Sequence, residues 1–445
     1  MGEFITWAQS GPLVKFYYLI VLVALIFLLI KYRKNRFSIL IILIFFNGLV
    51  AFYGKNLQNA YRILLLLLTI YWLFRTDPFR HTNYSNIIIS FIFFSLTFLY
   101  TSFYNQDYFF IIFSQYSRYF ILFSLFFVLN KYCQNKSFRD WLEKLIYDLL
   151  LIQIILSVAK IILIGLKESI VGSVGSQGGA LATSLPMMGF LFIWIRKKGK
   201  LDRDDWIFTL GLAFIGFMSL KRAIWFIMPV LISMLMFYVP KRKIPTKAVF
   251  LSIIIVPLFF YFGVRLNPFL NKEGEIWGSF DPGYAVNFAK VYSFGDKDQA
   301  EKGSGRGGAA LLLFDNFFKF DFNQKDLTGY GLRFIYATDY EAFEEMNLGV
   351  SNLGSATGAF QTKVSNGYLG IVALVWFVVS ILLKIKNRRL KYVVFVFLFW
   401  EYFFYTGIII RELSLSFLLI YVVLFSDTIK SKFVDQGKSA VIYET

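Results

Sequence analysis

The chain of 445 residues is 57% hydrophobic, 20% aromatic and only 17% charged, with a formal net charge of +18, a departure from the soluble average toward membrane proteins. One cysteine, Cys133, excludes an intramolecular disulfide, and one histidine, His81, excludes a zinc site built from imidazoles. The cations sit in short loops between apolar runs and not on one soluble surface, so the charge excess reports membrane topology and excludes nucleic acid as a partner.

From the N-terminus onward, apolar runs of roughly 17 to 22 residues recur, each long enough to cross a bilayer core of ~30 Å as a helix. The first, FYYLIVLVALIFLLI, leads into KYRKNR and not into a small-residue cleavage site, and reads as a retained span. Spans are expected at 14–30, 37–53, 63–74, 86–104, 109–129, 146–165, 180–195, 206–220, 223–239 and 248–264, then at 367–383, 391–409 and 412–428. The third is short and needs its flanks. Basic clusters such as Lys31 to Arg36, Lys131 to Lys144, Arg196 to Arg203, Lys241 to Lys247 and Lys384 to Lys391 fall on every second loop, which makes that face cytoplasmic. The expected fold class is an all-α polytopic membrane protein with about 12–14 transmembrane helices and one large, partly helical extracytoplasmic loop. Residues 1–264 supply the first part of the bundle, 265–364 the loop, 365–428 the last part of the bundle and 429–445 a cytoplasmic tail. No internal repeat relates two halves, which weighs against a transporter of inverted repeats.

Charges inside or at the outer edge of the apolar runs mark the candidate site. Arg118, in FFIIFSQYSRYFILF, sits near mid-span with Ser114, Gln115 and Ser117, a placement that demands a partner or an aqueous cavity. Lys160 lies toward the outer end of its span. Lys221 and Arg222 interrupt GFMSLKRAIWF; in the centre of one continuous helix each would cost about 2.5–3.5 kcal/mol, so the chain is expected to turn there, on the outer face.

The segment from Arg265 to Phe360 carries nine cations and thirteen acids and no spanning run, and a length of this order implies a folded, functional loop. Trp277, Phe280, Tyr284, Phe288 and Tyr292 recur there at helical spacing, with Pro282 and Gly283 marking a helix start, as in an interfacial helix or a stacking wall for sugar rings. GSGRGGAALLLFDNFFKF couples a glycine-rich entry to a helix beginning near Arg306, and LTGYGLRF reads as a tight turn carrying Tyr330 and Arg333. Glu401, intramembrane in FLFWEYFF, offers Arg118 an ion pair, and Arg411 lies at an outer turn beside Glu412. Lys221, Arg222, Arg306, Arg333 and Arg411 have no equally obvious partners in sequence. An anionic ligand is therefore expected, phosphate above all, because guanidinium presents a planar fork to two oxygens. The loop carboxylates Asp315, Asp339, Glu341, Glu344 and Glu345 are candidate bases, although each reads first as a solvated surface charge and none is singled out.

In this order the features resemble the O-antigen polymerase and O-antigen ligase family, the Wzy-type, GT-C-like membrane glycosyltransferases. SLKRAIW is similar to the family's S-x-R-x-x-W/L turn, GSGRGG to its S-G-R loop entry, LTGYG to its G-x-G turn, and NGYLGIVALVWFVVSILL to the G-x-x-G opening of the helix that leaves the loop. The resemblance covers most of residues 200–385; the N-terminal half is similar only in hydropathy. It implies glycosyl transfer at the periplasmic face of a bacterial inner membrane, inverting and without metal or other cofactor, from a saccharide on undecaprenyl pyrophosphate in lipopolysaccharide or related polysaccharide biosynthesis. By motif, Arg222 and Arg306 are implied as catalytic cations at the pyrophosphate. By charge placement, Lys221, Arg118, Tyr330, Arg333 and Arg411 join them in binding pyrophosphate or glycan. The implied partners are a lipid-linked oligosaccharide, membrane lipid and, as a candidate, a chain-length regulator protein. Ligases of the family carry a histidine-asparagine pair about eleven residues before the G-x-x-G; counting back from Gly367 reaches Ala356 and Thr357. Its absence favours a polymerase over a ligase acting on lipid A core, with a transporter of lipid-linked oligosaccharide as the alternative of another class.

Overall fold

A computed structural model describes residues 10–76, 84–165, 170–175, 179–219, 221–239, 257–258, 260–294, 306–319, 323–336 and 356–426. Among these, 80% are helical and none is in a strand. The helices are α1 (Pro12–Lys31), α2 (Phe37–Phe45), α3 (Asn47–Tyr53), α4 (Lys55–Phe74), α5 (Ser85–Tyr104), α6 (Phe109–Tyr132), α7 (Lys136–Ile164), α8 (Leu181–Arg196), α9 (Arg203–Met218) and α10 (Arg222–Ser233). They continue as α11 (Pro282–Phe294), α12 (Arg306–Lys319), α13 (Gln324–Thr328), α14 (Gly358–Leu382), α15 (Arg388–Phe403), α16 (Ile408–Arg411) and α17 (Leu413–Phe425). Six of them, α1, α4 over residues 57–74, α5, α6, α7 and α14, are long and apolar enough to cross a membrane. The chain is a helical membrane protein.

Burial sorts the helices by position. Every residue of α8 from Leu181 to Ile195 is buried, as is nearly all of α17, which puts both at the centre of the bundle. On α1 the reverse holds: Leu13, Phe16, Leu19, Val23, Ile26, Phe27 and Ile30 are exposed and face outward, an apolar surface that suits lipid. One set of ion pairs marks the end of the bundle where the basic loops lie. Lys31 meets Asp148 at 2.6 Å, Lys197 meets Asp205 at 3.0 Å, and Glu143 accepts from Tyr421 at 2.9 Å near Arg196.

Several expected boundaries move. The run 37–53 is two helices broken at Phe46, because the Gly48 N–H donates out of the helix to the Ser173 carbonyl at 2.9 Å. The short third run is completed by its N-terminal flank, which brings Arg62 into α4. The chain turns at Ser219 and Lys221 between α9 and α10, as the two cations require. Most of the expected span 248–264 lies outside the described residues. Helix α11 starts at Pro282 and α12 at Arg306, both as the spacing predicts, whereas α14 starts nine residues before Gly367 (358 against 367) and kinks there instead.

The largest departure is residues 170–175, expected as loop. Ile170, Val171, Ser173 and Val174 are buried in the bundle without being helical, so their backbone groups need partners from elsewhere. Those partners are Gln153, which accepts the Ser173 N–H at 2.7 Å, Tyr17, which donates to Gly172 O at 2.9 Å, and Ser219, which donates to Ile170 O at 2.7 Å.

Candidate functional site

At the opposite end of the bundle the turn after α13 locks onto α14, and Lys363 of α14 pairs there with Asp326 of α13 at 3.0 Å. Gly367 takes a left-handed φ of 67°, which removes the Val364 carbonyl from the helical ladder. That carbonyl instead accepts the Tyr330 N–H at 2.6 Å and the Gly331 N–H at 3.3 Å. The two backbones touch: a Cβ on Gly367 would stand 2.0 Å from the Leu327 carbonyl oxygen, and one on Gly329 would stand 2.6 Å from that of Ser365. The glycines of LTGYG and NGYLG are thus required by one contact, and each is there for the other.

The loop between α5 and α6 grips the same turn. Asp107 accepts from Leu332 N at 2.8 Å and Arg333 N at 3.2 Å, and Asn105 donates to Thr328 O at 3.0 Å. Burial pushes the Asp107 carboxyl up from its ordinary range, against the pull of those two N–H groups and of Arg333. Asn366, just before the kink, donates to Thr101 on α5 at 2.7 Å.

Behind these contacts lies a cavity of about 230 Å³ between α5, α6, α14 and α16, walled by Phe94, Phe98, Tyr119 and Leu374 on its apolar side. Its polar side presents Arg118, Arg411, Gln115, Thr362, Ser365 and Asn366, and Leu332 of the locked turn closes one edge. Two guanidinium groups and a set of neutral donors surrounded by rings make a place for a small anion carrying hydroxyls.

The cations are better held than the sequence suggests. Arg411 donates to the Gln361 amide oxygen and to Gly358 O at 3.2 Å, and it interacts electrostatically with Glu401. Arg118 acts electrostatically on Glu412, the next acid along the chain, where the sequence offered it Glu401. The reason is local: the Glu401 carboxylate accepts the Ile408 N–H at 2.6 Å and is folded into the turn before α16. Arg333 is exposed, over its neighbour Phe334 at 4.9 Å, with Asp107 as its opposite charge. The expectation that Arg333 and Arg411 lack partners is therefore corrected.

The structure brings Arg118 and Arg411 together in the cavity and sets Tyr330 and Arg333 beside its wall, on the locked turn but not in the lining. Arg306 lies over the Tyr405 ring at 4.7 Å, and Tyr405 O accepts the Gly358 N–H at 3.0 Å, so Arg306 and Arg411 flank the same junction. Lys221 caps α10 at the turn beside buried Ser219; Arg222 opens that helix, and its side chain lies outside the described residues. Lys160 is buried in α7 with its amine over the Tyr17 ring at 5.5 Å, against residues 170–175 and not at the cavity. Among the candidate bases, Asp315 is exposed and paired with Lys319 at 2.6 Å, and Asp339, Glu341, Glu344 and Glu345 lie outside the described residues. Ala356 is buried, and Thr357 caps α14 through Phe360 N.

Two members of the site were missed in the sequence. Arg62 donates to Ser114 and interacts with Glu412, which also accepts from Asn47 at 3.0 Å, so a third guanidinium backs the cavity. Its signal was the shortness of the third run, whose missing turn contains it. Asn366 was legible only as the residue preceding a motif glycine. No family model, no curated protein and no solved structure matches the chain.

Proposed function

We propose that the chain is a polysaccharide polymerase of the bacterial inner membrane, transferring a growing glycan from undecaprenyl pyrophosphate to a lipid-linked repeat unit at the periplasmic face. The observation that carries the reading is the cavity in which Arg118 and Arg411 face one another among amide and hydroxyl side chains, with Arg306 across the Gly358–Tyr405 junction. The four motif resemblances bear on it as well, because two of them meet in one backbone contact at the cavity's edge.

In this reading the bond from the anomeric carbon to the pyrophosphate oxygen breaks with its electron pair going to phosphate. The acceptor hydroxyl attacks from the opposite side, which inverts the centre, and its proton passes to the departing pyrophosphate. Negative charge on the leaving oxygens grows along this path, so fixed guanidinium groups stabilise the transition state more than the bound substrate. Arg411, pinned by Gln361 and Gly358, needs no reorganisation as that charge develops. A ligase would call for an imidazole where Ala356 is buried, and nothing ionisable stands at that place.

Purified protein in proteoliposomes with lipid-linked repeat units should give a ladder of products that remain on the lipid pyrophosphate. Arg118→Ala and Arg306→Ala should each lower polymer formation by about 10²–10³-fold while remaining folded. Full-length ladders from both variants, or no ladder from the parent, would refute the reading; labelled oligosaccharide crossing the bilayer unlengthened would replace it with a transporter.

A further inference from the structure

A second cavity begins where the cationic one ends. It holds about 160 Å³ between α14 and α15, and Leu374 and Ile410 bound its upper end, with Val379, Leu382, Leu398 and Phe399 below. Leu374 lines both cavities, and Ile410 precedes Arg411 in the chain, so the apolar space adjoins the cationic cavity across that leucine. From Leu374 to Leu382 the groove follows α14 for ~12 Å at 1.5 Å per residue. It opens sideways, since Phe395 and Phe399 on its outer wall are 42% and 39% exposed on the bundle surface.

We infer that the two cavities are one amphipathic site, in which the α14–α15 groove holds the first isoprene units of the polyisoprenyl pyrophosphate whose head lies between Arg118 and Arg411. This rests on the carrier-lipid reading given above. An anion alone has no use for a dry groove beside its phosphates, and a hydrocarbon alone has no use for two arginines. Only a molecule with both parts in sequence fills the two adjoining spaces. The groove's role is positional. A lipid tail is already solvated by hydrocarbon in the bilayer, so moving it into protein gains packing and no transfer energy. What it gains is direction, because a tail fixed along α14 aims the carbon–oxygen bond of the head into the cavity and holds the leaving group against the arginines.

The test uses the full chain in phosphatidylcholine nanodiscs and undecaprenyl pyrophosphate carrying a diazirine in its second isoprene unit. After irradiation, adducts mapped by mass spectrometry should concentrate on residues 374–382 and 395–403, about tenfold above the other helices. Unlabelled polyisoprenyl pyrophosphate should suppress them, and an equal excess of phosphatidylglycerol should not. Val375→Trp or Val379→Trp should displace the adducts from the groove. The wild-type map decides the matter even where a variant fails to fold. Adducts spread evenly over lipid-facing helices such as α1, or equal competition by phosphatidylglycerol, would overturn the inference. Polymer formation on the same nanodiscs keeps the two ideas apart: groove adducts without polymer support the groove and sink the transferase, and polymer with adducts elsewhere does the reverse.

Discussion

Arg411 shows how one side chain both builds the site and belongs to it. Its fork reaches Gln361 and Gly358, tying α16 to the start of α14, while the same group lines the cavity. Arg411→Lys keeps the charge and loses the fork, and should cost about 1–3 kcal/mol in melting experiments, as expected for charge-assisted hydrogen bonds left unmade. Arg118→Lys keeps its charge toward Glu412 and should cost less; equal losses would show that the fork does not hold the junction. At this scale the sequence was informative about which residues are unusual and silent about their partners. Arg118 stood out because lipid penalises charge, yet nothing local distinguishes Glu401 from Glu412 as its counterpart. That choice depends on a turn through Gly407 at a left-handed φ of 67°, which folds Glu401 back onto its own chain.

Among the elements, α14 decides most. Its hydropathy predicts a span beginning at Gly367, and the preceding turns were hidden because Gln361, Thr362, Ser365 and Asn366 read as polar loop. They are buried and helical because each has an inward task, at the cavity or against α5. Gly367→Ala places a Cβ against Leu327 at a φ that L-residues avoid. The expected result is a loss exceeding about 3 kcal/mol, with faster amide exchange at Tyr330 and Leu332 as the turn comes away from α14. Unchanged protection at those amides would mean that the kink, and not the contact, is what the glycine serves. Helix α11 and the entry of α12 at Arg306 were readable in advance, since Pro282 and the glycine run are local punctuation. Length, by contrast, misled at α2 and α3, where one apolar run supplies two helices.

In the whole molecule, the bundle and its apolar surfaces follow directly from composition, and the inserted segment 170–175 does not. Glycine, serine and valine at 171–175 carry no periodic signal, and the segment's place is set by hydrogen bonds that join it to α1, α2, α3, α7 and the turn after α9. Gln153 supplies two of them, to Ser173 N at 2.7 Å and to Ser173 Oγ at 2.9 Å. Gln153→Leu leaves a buried N–H without an acceptor and should cost about 1–3 kcal/mol in thermal unfolding. A neutral result would indicate that water takes over the bond. Because Ser219 also donates into this segment, the variant should perturb the turn bearing Lys221 as well, readable as increased proteolysis between α9 and α10.

The cavity draws its walls from residue 94 to residue 411. During synthesis α5 and α6 enter the bilayer first, and α14 and α16 arrive only after the helices between them. A nascent copy has Arg118 with Arg62 behind it and half a pocket, and a copy lacking α16 never gains Arg411. The cavity therefore closes only once α16 is in place, and a chain made as far as α7 carries only half of its lining.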